Sequence, residues 1–219
     1  RRDVARLNNA NVNELLEGEL RRKVEGVIQG EVDVSYDFGE DLWPVEVESG
    51  ALVSAITNLV INASDALQGR PGKIVIETRN RLRAPEDDGV YQGEFVDIVV
   101  SDNGIGIPRE HLDSVFDPFY TTKEDTDGAG LGLAMVYAFA KRFGGEVTAN
   151  SEVGYGSAFR VSLPRAGTEA NKATEDEPSE LVSGNDESVL VVDDQAELAA
   201  VAAEYLESAG YNVNVATGA

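Results

Sequence analysis

The chain has 219 residues, 42% of them hydrophobic and 26% charged, which suits a soluble domain of about 150 residues with further short segments. Its formal net charge of −22, without a local basic stripe, excludes nucleic acid as a partner because phosphate backbones repel such a surface. The absence of cysteine excludes disulfides and thiolate metal sites, and no apolar run approaches the roughly 18 residues of a membrane span. We therefore expect a cytoplasmic chain without membrane contact, and any membrane anchor would belong to a longer parent protein.

The first part of the chain alternates between helical and strand patterns. Residues 12–29 carry apolar side chains at helical spacing, and Val32–Phe38 alternates between apolar and polar residues like a half-buried strand. Ser49 is predicted to be the N-cap of a long helix, because the apolar positions between Leu52 and Leu67 recur every three or four residues.

Two strands, a helix and two closing strands complete the predicted domain. The strand at 94–101 is nearly all apolar and is expected at the centre of the sheet. The helix at 130–143 is expected to end at the pair Gly144 and Gly145. The other predicted elements are strands at 73–81, 146–150 and 158–163, and a turn at 83–93. Together they predict an α/β sandwich, with helices on one face of a sheet.

Two glycine-bearing stretches point to a nucleotide site. The first, DNGIGI at 102–107, follows an apolar strand, and the second, GAGLGL at 128–133, enters a helix pattern. Glycine lets backbone N–H groups approach an anion, and a helix N-terminus adds unpaired donors and a favourable dipole for phosphate. Each stretch is a weak signal by itself, but together they predict that the chain binds a nucleotide.

A polar stripe interrupts the apolar helix that follows Ser49. Asn58 and Asn62 are four residues apart and Asp65 follows three residues later, so two amides and one carboxylate can share one patch of the helix. An amide oxygen is a neutral hard ligand, which suits a Mg²⁺ ion that is shared with substrate phosphates. The stripe therefore predicts a metal-assisted site.

Four boxes in a fixed order give the chain a family resemblance. The stretches at 58–67, 102–107, 116–123 and 128–133 resemble the N, G1, F and G2 boxes of the GHKL ATPases, in the arrangement of the sensor histidine kinases of two-component systems. The resemblance covers roughly residues 11–165 and implies a two-layer α/β sandwich of the GHKL (Bergerat) type. It also implies ATP and Mg²⁺ as cofactors.

The resemblance implies roles for the matched residues. Asn62 would hold the Mg²⁺ that bridges the ATP phosphates, with Asn58 beside it, and Asp102 would accept a hydrogen bond from the adenine amino group. Lys123 would contact a phosphate as a compact cation. The implied catalytic residues are Asn58, Asn62 and Lys123. The implied nucleotide-binding residues are Asn62, Asp65, Asp102, Gly104, Gly106, Ile107, Phe119, Thr122, Lys123, Gly128, Gly130, Leu131, Gly132 and Leu133.

The residue at position 58 distinguishes between subfamilies of the GHKL ATPases that the chain resembles. GHKL members that hydrolyse ATP or phosphorylate serine have a glutamate general base four residues before the metal-binding asparagine, and here that place holds Asn58. An amide cannot take a proton near neutral pH, so the pattern favours transfer of the γ-phosphoryl to a histidine, which is itself the nucleophile. A degenerate nucleotide-binding scaffold and a GHKL ATPase with ATP-driven closure stay open as alternatives.

The histidine that would accept the phosphoryl group is not expected in this chain. The only histidine, His111, lies between the G1 and F boxes and is interpreted as a surface residue on a short helix. Residues 1–10 are expected to be the tail of a dimerisation helix whose histidine lies upstream, in a parent that acts as a homodimer. The chain alone is therefore expected to bind ATP without labelling itself.

The end of the chain has a different character. Residues 166–186 are polar and acidic without an apolar period and are interpreted as a linker. Residues 187–219 begin with an apolar strand that ends at Asp193 and Asp194, and they resemble the first third of a response-regulator receiver domain, an incomplete flavodoxin-like βαβ unit whose acidic pair binds Mg²⁺. Since the sequence stops at Ala219 inside this pattern, we expect a fragment of a hybrid histidine kinase.

Overall fold

The computed structural model describes residues 8–28, 31–83, 91–121, 130–167, 171–172, 188–193 and 212–217. The chain divides into two compact units, Arg1–Lys172 and Ala173–Ala219. Most of the described residues belong to the first unit, whereas the second contributes one pair of strands.

A mixed β-sheet forms the centre of the first unit. Its main path runs in the order β2 (Val32–Phe38), β4 (Gly72–Arg83), β5 (Tyr91–Asp102), β7 (Gly156–Pro164) and β6 (Glu146–Glu152). β2 pairs with β4 in parallel, and the other neighbours along this path are antiparallel. β5 is the middle strand of the path, which confirms the prediction made from its apolar sequence.

Helices pack on the sheet and enclose the hydrophobic core. They are α1 (Val12–Leu15), a π-helical turn (Leu16–Leu20), α2 (Arg21–Val27), α3 (Ser49–Ala66), the short α4 (Arg109–Leu112) and α5 (Gly132–Arg142). Leu52, Ile56 and Leu59 of α3 are fully buried, as are Ile74 and Ile76 of β4. The spacing of three and four residues on α3 and of two on β4 explains how each element turns one face to the core. Within the described ranges, no helix is long and apolar enough to cross a membrane.

Three predicted boundaries differ from the structure. Ser49 is the first residue of α3 rather than its N-cap, because Glu48 takes the extended conformation that precedes the helix, and no side chain caps it. The helix predicted at 12–29 contains the π-helical turn and ends at Val27, where Ile28 becomes extended. The helix predicted from residue 130 begins two residues later because Gly130 has a left-handed φ of 68°.

The incoming end of the first unit is a strand. β1 (Asn8–Ala10) pairs antiparallel with β3 (Val45–Val47). The expectation that a helix tail continues to residue 10 is therefore wrong for residues 8–10, since pairing with β3 holds them extended. Residues 1–7 lie outside the described part of the chain.

The segment that follows β7 is bound to the other side of β3. Arg165 forms an antiparallel bridge with Val45, and the backbone N–H of Ala166 donates to the carbonyl oxygen of Pro44 at 2.8 Å. The Arg165 guanidinium lies over the ring of Trp43, 5.1 Å from its centroid. Val45 thus pairs with the incoming strand β1 on one edge and with the outgoing segment on the other.

The predicted linker and the predicted turn also contain strand residues. β8 (Asn171–Lys172), inside the predicted linker at 166–186, pairs with Tyr91 and Gln92, the first residues of β5. β4 continues to Arg83, so the turn is shorter than predicted, and residues 84–90 lie outside the described ranges.

The second unit contains two strands that pair in parallel. β9 (Ser188–Asp193) and β10 (Asn212–Thr217) align from Ser188 opposite Asn212 to Asp193 opposite Thr217. The strand predicted at 211–216 is thus found one residue later. Asp194 and the helix predicted after it lie outside the described residues.

Candidate functional site

The central residue of the candidate site is Asn62, on the inner part of α3. Its helix is held on the core by the buried residues Leu59, Val60 and Ala63, so packing fixes the position of the Asn62 backbone. The Nδ2 atom of Asn62 is buried and has no hydrogen-bond partner among the described residues. A buried amide without a partner costs free energy, so such a group in a folded protein calls for a reason, and a ligand supplies one.

Asp102 ends the central strand β5 and is 9% exposed. The backbone N–H of Gly104 donates to its Oδ1 atom at 2.8 Å. Burial raises the pKa of the Asp102 carboxyl, and hydrogen bonds from the backbone N–H groups of Gly104 and Ser157 oppose that rise. The result is a rigid, desolvated acceptor at the end of the sheet.

The G1 box is packed directly onto the end of α3. A Cβ on Gly104 would lie 2.6 Å from the carbonyl oxygen of Ala66, so only glycine fits here without movement of the backbone. The N–H of Ile105 donates to the same oxygen at 3.0 Å. This contact joins the helix that carries Asn62 to the turn that carries Asp102.

The second half of the G1 box is held by the β6–β7 hairpin. Gly106 has a left-handed φ of 71°, and a Cβ there would overlap the backbone of Glu152. The N–H of Ile107 donates to Oγ of Ser151 at 2.7 Å, and that hydroxyl donates to the carbonyl oxygen of Gly156 at 2.8 Å. Sequence reasoning missed Ser151 as a site residue because a single serine after a predicted strand carries no motif.

The G2 box brings a helix N-terminus to Asn62. A Cβ on Gly132, the first residue of α5, would lie 3.7 Å from Nδ2 and 4.0 Å from Oδ1 of Asn62. Leu131, the N-cap residue of α5, makes no side-chain hydrogen bond to the helix, so within the described ranges no side-chain cap competes with an anion for its first backbone N–H groups. An orphan amide, a bare helix start and a gap between them form an arrangement that suits phosphate.

The F box is tied to the G2 box through the backbone. The N–H of Phe119 donates to the carbonyl oxygen of Gly130 at 3.1 Å, and a Cβ on Gly130 would lie 2.5 Å from the Phe119 carbonyl carbon. Phe119 itself has a φ of 66°, an unusual conformation for a bulky residue and one that tends to occur at functional sites. Phe116 anchors the box, with its ring 6.3 Å from that of Phe159 in an edge-on contact.

Several predicted site residues have less specific positions. Asn58 is half-buried one turn before Asn62, and Asp65 is exposed near the end of α3, so convergence of Asp65 with the two amides stays a prediction. Ile107 and Leu133 are half-buried against the core. Thr122, Lys123, Gly128 and Asp194 lie outside the described residues, and Asp193 is the last residue of β9.

His111 and possible metal ligands complete the survey of the site. His111 lies on the short helix α4, as predicted, but it is half-buried, with its ring 6.0 Å from that of Tyr120 in the F box. Within the described ranges, no group of three or more histidine, cysteine, aspartate or glutamate side chains is placed to hold a metal ion.

The sequence of this region matches a known family. Residues 48–167 match the family described as histidine kinase-, DNA gyrase B-, and HSP90-like ATPase. The chain belongs to this ATPase family. The matched segment of the ATPase domain begins at the residue before α3 and ends after β7, so it holds all four boxes.

Two curated relatives of this ATPase domain are sensor kinases. The chain is 35% identical over 210 residues to the sensor kinase CckA of Brucella abortus (strain 2308), covering 90% of this chain and 22% of the relative. It is 30% identical over 158 residues to the sensor histidine kinase ZraS of Salmonella typhimurium, covering 72% of this chain and 31% of the relative. The chain therefore spans less than a third of the length of either relative.

Solved structures share the fold of the ATPase domain. The catalytic domain of the histidine kinase ThkA aligns with a TM-score of 0.56 at 26% identity, covering 73% of this chain and 96% of that one. Full-length ShkA in complex with AMPPNP aligns with a TM-score of 0.59 at 23% identity, covering 97% of this chain and 41% of that one. The predicted α/β sandwich of the GHKL type is confirmed for the first unit.

Proposed function

We propose that this chain is the ATP-binding catalytic part of a two-component hybrid histidine kinase. It transfers the γ-phosphoryl group of Mg-ATP to a histidine on a dimerisation domain of the same parent protein, which acts as a homodimer in the cytoplasm. The observation that carries the proposal is the buried Nδ2 atom of Asn62, which has no hydrogen-bond partner among the described residues and lies next to Gly132 at the start of α5. Family membership and the sensor-kinase relatives point the same way.

The chemistry of the gap fits a magnesium nucleotide. The Asn62 amide would hold the metal through its oxygen, and the unpaired N–H groups at the start of α5 would receive the phosphates. When bound, Mg²⁺ neutralises charge on the phosphate oxygens. Thr122, Lys123 and Gly128, which belong to the F and G2 boxes, are proposed to contact the phosphates as well.

The other end of the nucleotide would lie at the G1 box. Asp102 would accept a hydrogen bond from the adenine amino group, and its fixed orientation, set by the N–H of Gly104, removes the entropic cost of positioning it. Gly104 and Gly106 let the G1 turn that carries this end of the site pack closely on α3 and β6, since a Cβ at either place would overlap the backbone of Ala66 or Glu152. These residues would bind and orient the nucleotide, so alignment and electrostatics would supply the rate of phosphoryl transfer.

Asn58 is the residue that favours kinase over ATPase. It stands on α3 one turn before Asn62, where an amide cannot act as a general base for water. An imidazole acceptor is its own nucleophile and does not need a base there. Steady hydrolysis of ATP without any acceptor domain would favour a GHKL ATPase over the kinase. Nucleotide binding without hydrolysis or phosphoryl transfer would favour a degenerate scaffold.

The second unit supports a further proposal, that the parent carries a receiver domain. β9 and β10 pair in parallel and are separated by residues 194–211, and parallel neighbours require a crossover connection of about a dozen residues or more. The alignment with CckA covers 90% of the chain, more than the first unit holds. Asp193 and Asp194, at the carboxyl end of β9, would begin an acidic Mg²⁺ site that is incomplete in this sequence, with 166–186 as the linker.

Phosphoryl transfer between separate chains tests the kinase proposal. The 219-residue chain is mixed with the histidine-bearing dimerisation domain of its parent and radiolabelled Mg-ATP. We expect acid-labile phosphate on the dimerisation domain, no label on the chain alone, and loss of transfer in Asn62→Ala. Absence of transfer from a chain that binds ATP, with a dimerisation domain that a related kinase can phosphorylate, would overturn the proposal.

A further inference from the structure

A second recess lies beside the G1 box, outside the nucleotide site. It has a volume of about 390 Å³ and is walled by the turn after α3, the outer side of the G1 turn and the β6–β7 turn. Its volume lies within the range of about 300 to 1,000 Å³ that is common for small-molecule sites. Of the proposed nucleotide-binding residues only Gly104 borders it, whereas Asn62, Asp102 and Gly132 do not.

The walls of this recess are fixed before any ligand arrives. The N–H of Ile105 donates to the carbonyl oxygen of Ala66 at 3.0 Å, and the N–H of Gly154 donates to the carbonyl oxygen of Ile105 at 2.7 Å. The N–H of Arg70 donates to the carbonyl oxygen of Leu67 at 3.0 Å, which closes the third wall. Because the three turns are held by their own hydrogen bonds, a ligand does not have to order them.

The lining of the recess combines apolar side chains with the polar side chains of Arg70 and Asn103. Leu67 forms its buried floor, while the hydrophobic side chains of Ile105 and Val153 are 41% and 60% exposed. Arg70 has no ion-pair partner among the described residues even though the chain contains 40 acidic residues. A guanidinium group beside an apolar floor suits a carboxylate, sulfonate or phosphate group that is attached to an apolar body.

We propose that this recess binds small organic anions with a flat apolar body. The anionic group pairs with the Arg70 guanidinium, and the apolar body covers Ile105 and Val153. The proposal does not depend on the proposed kinase function, because Arg70, Ile105 and Val153 are not among the proposed nucleotide-binding residues.

Two fluorescent probes that differ by one sulfonate group test the site. The full 219-residue chain is titrated with 8-anilinonaphthalene-1-sulfonate and with its neutral analogue N-phenyl-1-naphthylamine, each with and without saturating Mg-AMPPNP. We expect one saturable sulfonate site that persists when the nucleotide is bound. Arg70→Gln should weaken sulfonate binding about ten-fold and leave binding of the neutral probe unchanged, since one charge-assisted hydrogen-bond pair is lost.

Two further variants locate the site and control for non-specific effects. Val153→Asp places a negative charge on the rim at an exposed turn, so it should weaken sulfonate binding at least as much without lowering Tm. Lys23→Gln removes an exposed cation on α2, away from the recess, and should have no effect. Equal sulfonate affinity in all three variants and the parent chain, or displacement of the sulfonate by Mg-AMPPNP, would overturn the proposal.

Discussion

Asn62 of α3 and Gly132 of α5 face each other, with the position of a Cβ on Gly132 only 3.7 Å from the Nδ2 atom of Asn62. The two residues lie 70 positions apart in sequence, and only packing of α3 against α5 brings them together. Gly132 has an ordinary helical conformation, and a Cβ there would make only ordinary van der Waals contact with Asn62, so the fold itself does not exclude a side chain at this place. The missing side chain is what keeps the gap beside Asn62 open.

Gly132→Ala is predicted to weaken nucleotide binding without lowering the stability of the fold. The added methyl group would make an ordinary van der Waals contact with Asn62 and would suit a helix, so the Tm should stay within about 2 °C of the parent value. The same methyl group fills the proposed phosphate gap, so affinity for Mg-AMPPNP should fall about ten-fold or more. Isothermal titration calorimetry and thermal melting measure the two effects.

Gly130→Ala is the matched comparison for that variant. Its φ of 68° is strained for alanine, and the new Cβ would lie 2.5 Å from the carbonyl carbon of Phe119. We expect a loss of about 2 kcal/mol in the free energy of unfolding, measured by denaturant titration. Equal melting temperatures for the two variants would contradict the geometry described for the F and G2 boxes.

Asn62→Ala should remove the effect of magnesium on nucleotide affinity without loss of stability. Its Nδ2 has no partner among the described residues, so removal of the amide breaks no hydrogen bond that the fold has at this atom. We expect binding of AMPPNP by the variant to be equal with Mg²⁺ and with EDTA, whereas the parent chain binds more tightly with Mg²⁺. A variant that retains the metal dependence would show that another group holds the metal.

Gly104→Ala is predicted to disturb the G1 box and the end of α3 together. The new Cβ would lie 2.6 Å from the carbonyl oxygen of Ala66, so one backbone segment must move, at a cost of about 2 kcal/mol in the free energy of unfolding. Gly26→Ala on α2 has nothing within 4 Å and should instead stabilise the chain by about 0.5 kcal/mol. Denaturant titration compares both variants, and a stable Gly104→Ala would refute the close contact.

Nucleotide affinity is predicted to depend on the protonation of Asp102. Burial raises the pKa of its carboxyl above the ordinary value of 3.8, so the carboxylate that would accept from adenine is lost at a higher pH than for an exposed aspartate. As pH falls towards that raised pKa, the affinity of the parent chain for AMPPNP should approach that of Asp102→Asn. The ratio of the two affinities removes the titration of the nucleotide phosphates, and a ratio independent of pH would contradict the assignment.

The same carboxyl has an opposite effect on stability. Because its pKa is higher in the folded than in the unfolded chain, its contribution to stability is greatest below pH 3.8 and is lost as pH rises through the folded pKa. At neutral pH the buried charge is a cost, so Asp102→Asn should raise the Tm of the ligand-free chain while it weakens binding of nucleotide. Thermal melts at pH 7 without ligand test the sign.

The buried pair of Arg83 and Glu146 is predicted to support stability at neutral pH. The hydrogen bond from Arg83 lowers the pKa of the Glu146 carboxyl below its ordinary value of 4.5, so the stabilisation is present above pH 4.5 and is lost as pH falls through the lower folded value. Their side chains are 8% and 16% exposed, so Glu146→Gln, which removes the negative charge beside the Arg83 guanidinium, should cost about 3 kcal/mol.

Arg79 and Asp37 provide an exposed control for that pair. They lie on the same sheet with an ion-pair distance of 2.6 Å, but their side chains are 47% and 62% exposed. Asp37→Asn should therefore change the free energy of unfolding by less than about 1 kcal/mol, because solvent screens the pair. Chemical denaturation at pH 7 distinguishes the two variants, and equal losses would show that burial does not decide the contribution.

The sequence was sufficient to predict those parts of the site that depend on local patterns. The three- and four-residue spacing of apolar positions places Asn62 on a helix, and the apolar run before Asp102 places that residue at a strand end. The glycine pattern that leads into α5 indicates a helix start. Each of these inferences uses only neighbours in the chain, which is why element type was predicted well.

Contacts between backbone atoms of distant segments could not be predicted in the same way. Any residue at position 66 offers the carbonyl oxygen that Ile105 and Gly104 approach, so the side chain of Ala66 gives no signal. β1 is only three residues long, too short for an alternating pattern, and it is extended because β3 pairs with it. The later start of α5 depends on the left-handed turn at Gly130, which the pattern GAGLGL does not specify.

Val45 accepts neighbours on both edges of β3, with Ala10 of the incoming strand on one side and Arg165 of the outgoing segment on the other. Two strand spacings, about 10 Å, therefore separate Ala10 from Arg165. A hydrogen-bonded path joins the incoming and outgoing segments through β3, and Asn62, Asp102 and Gly132 are not part of that path.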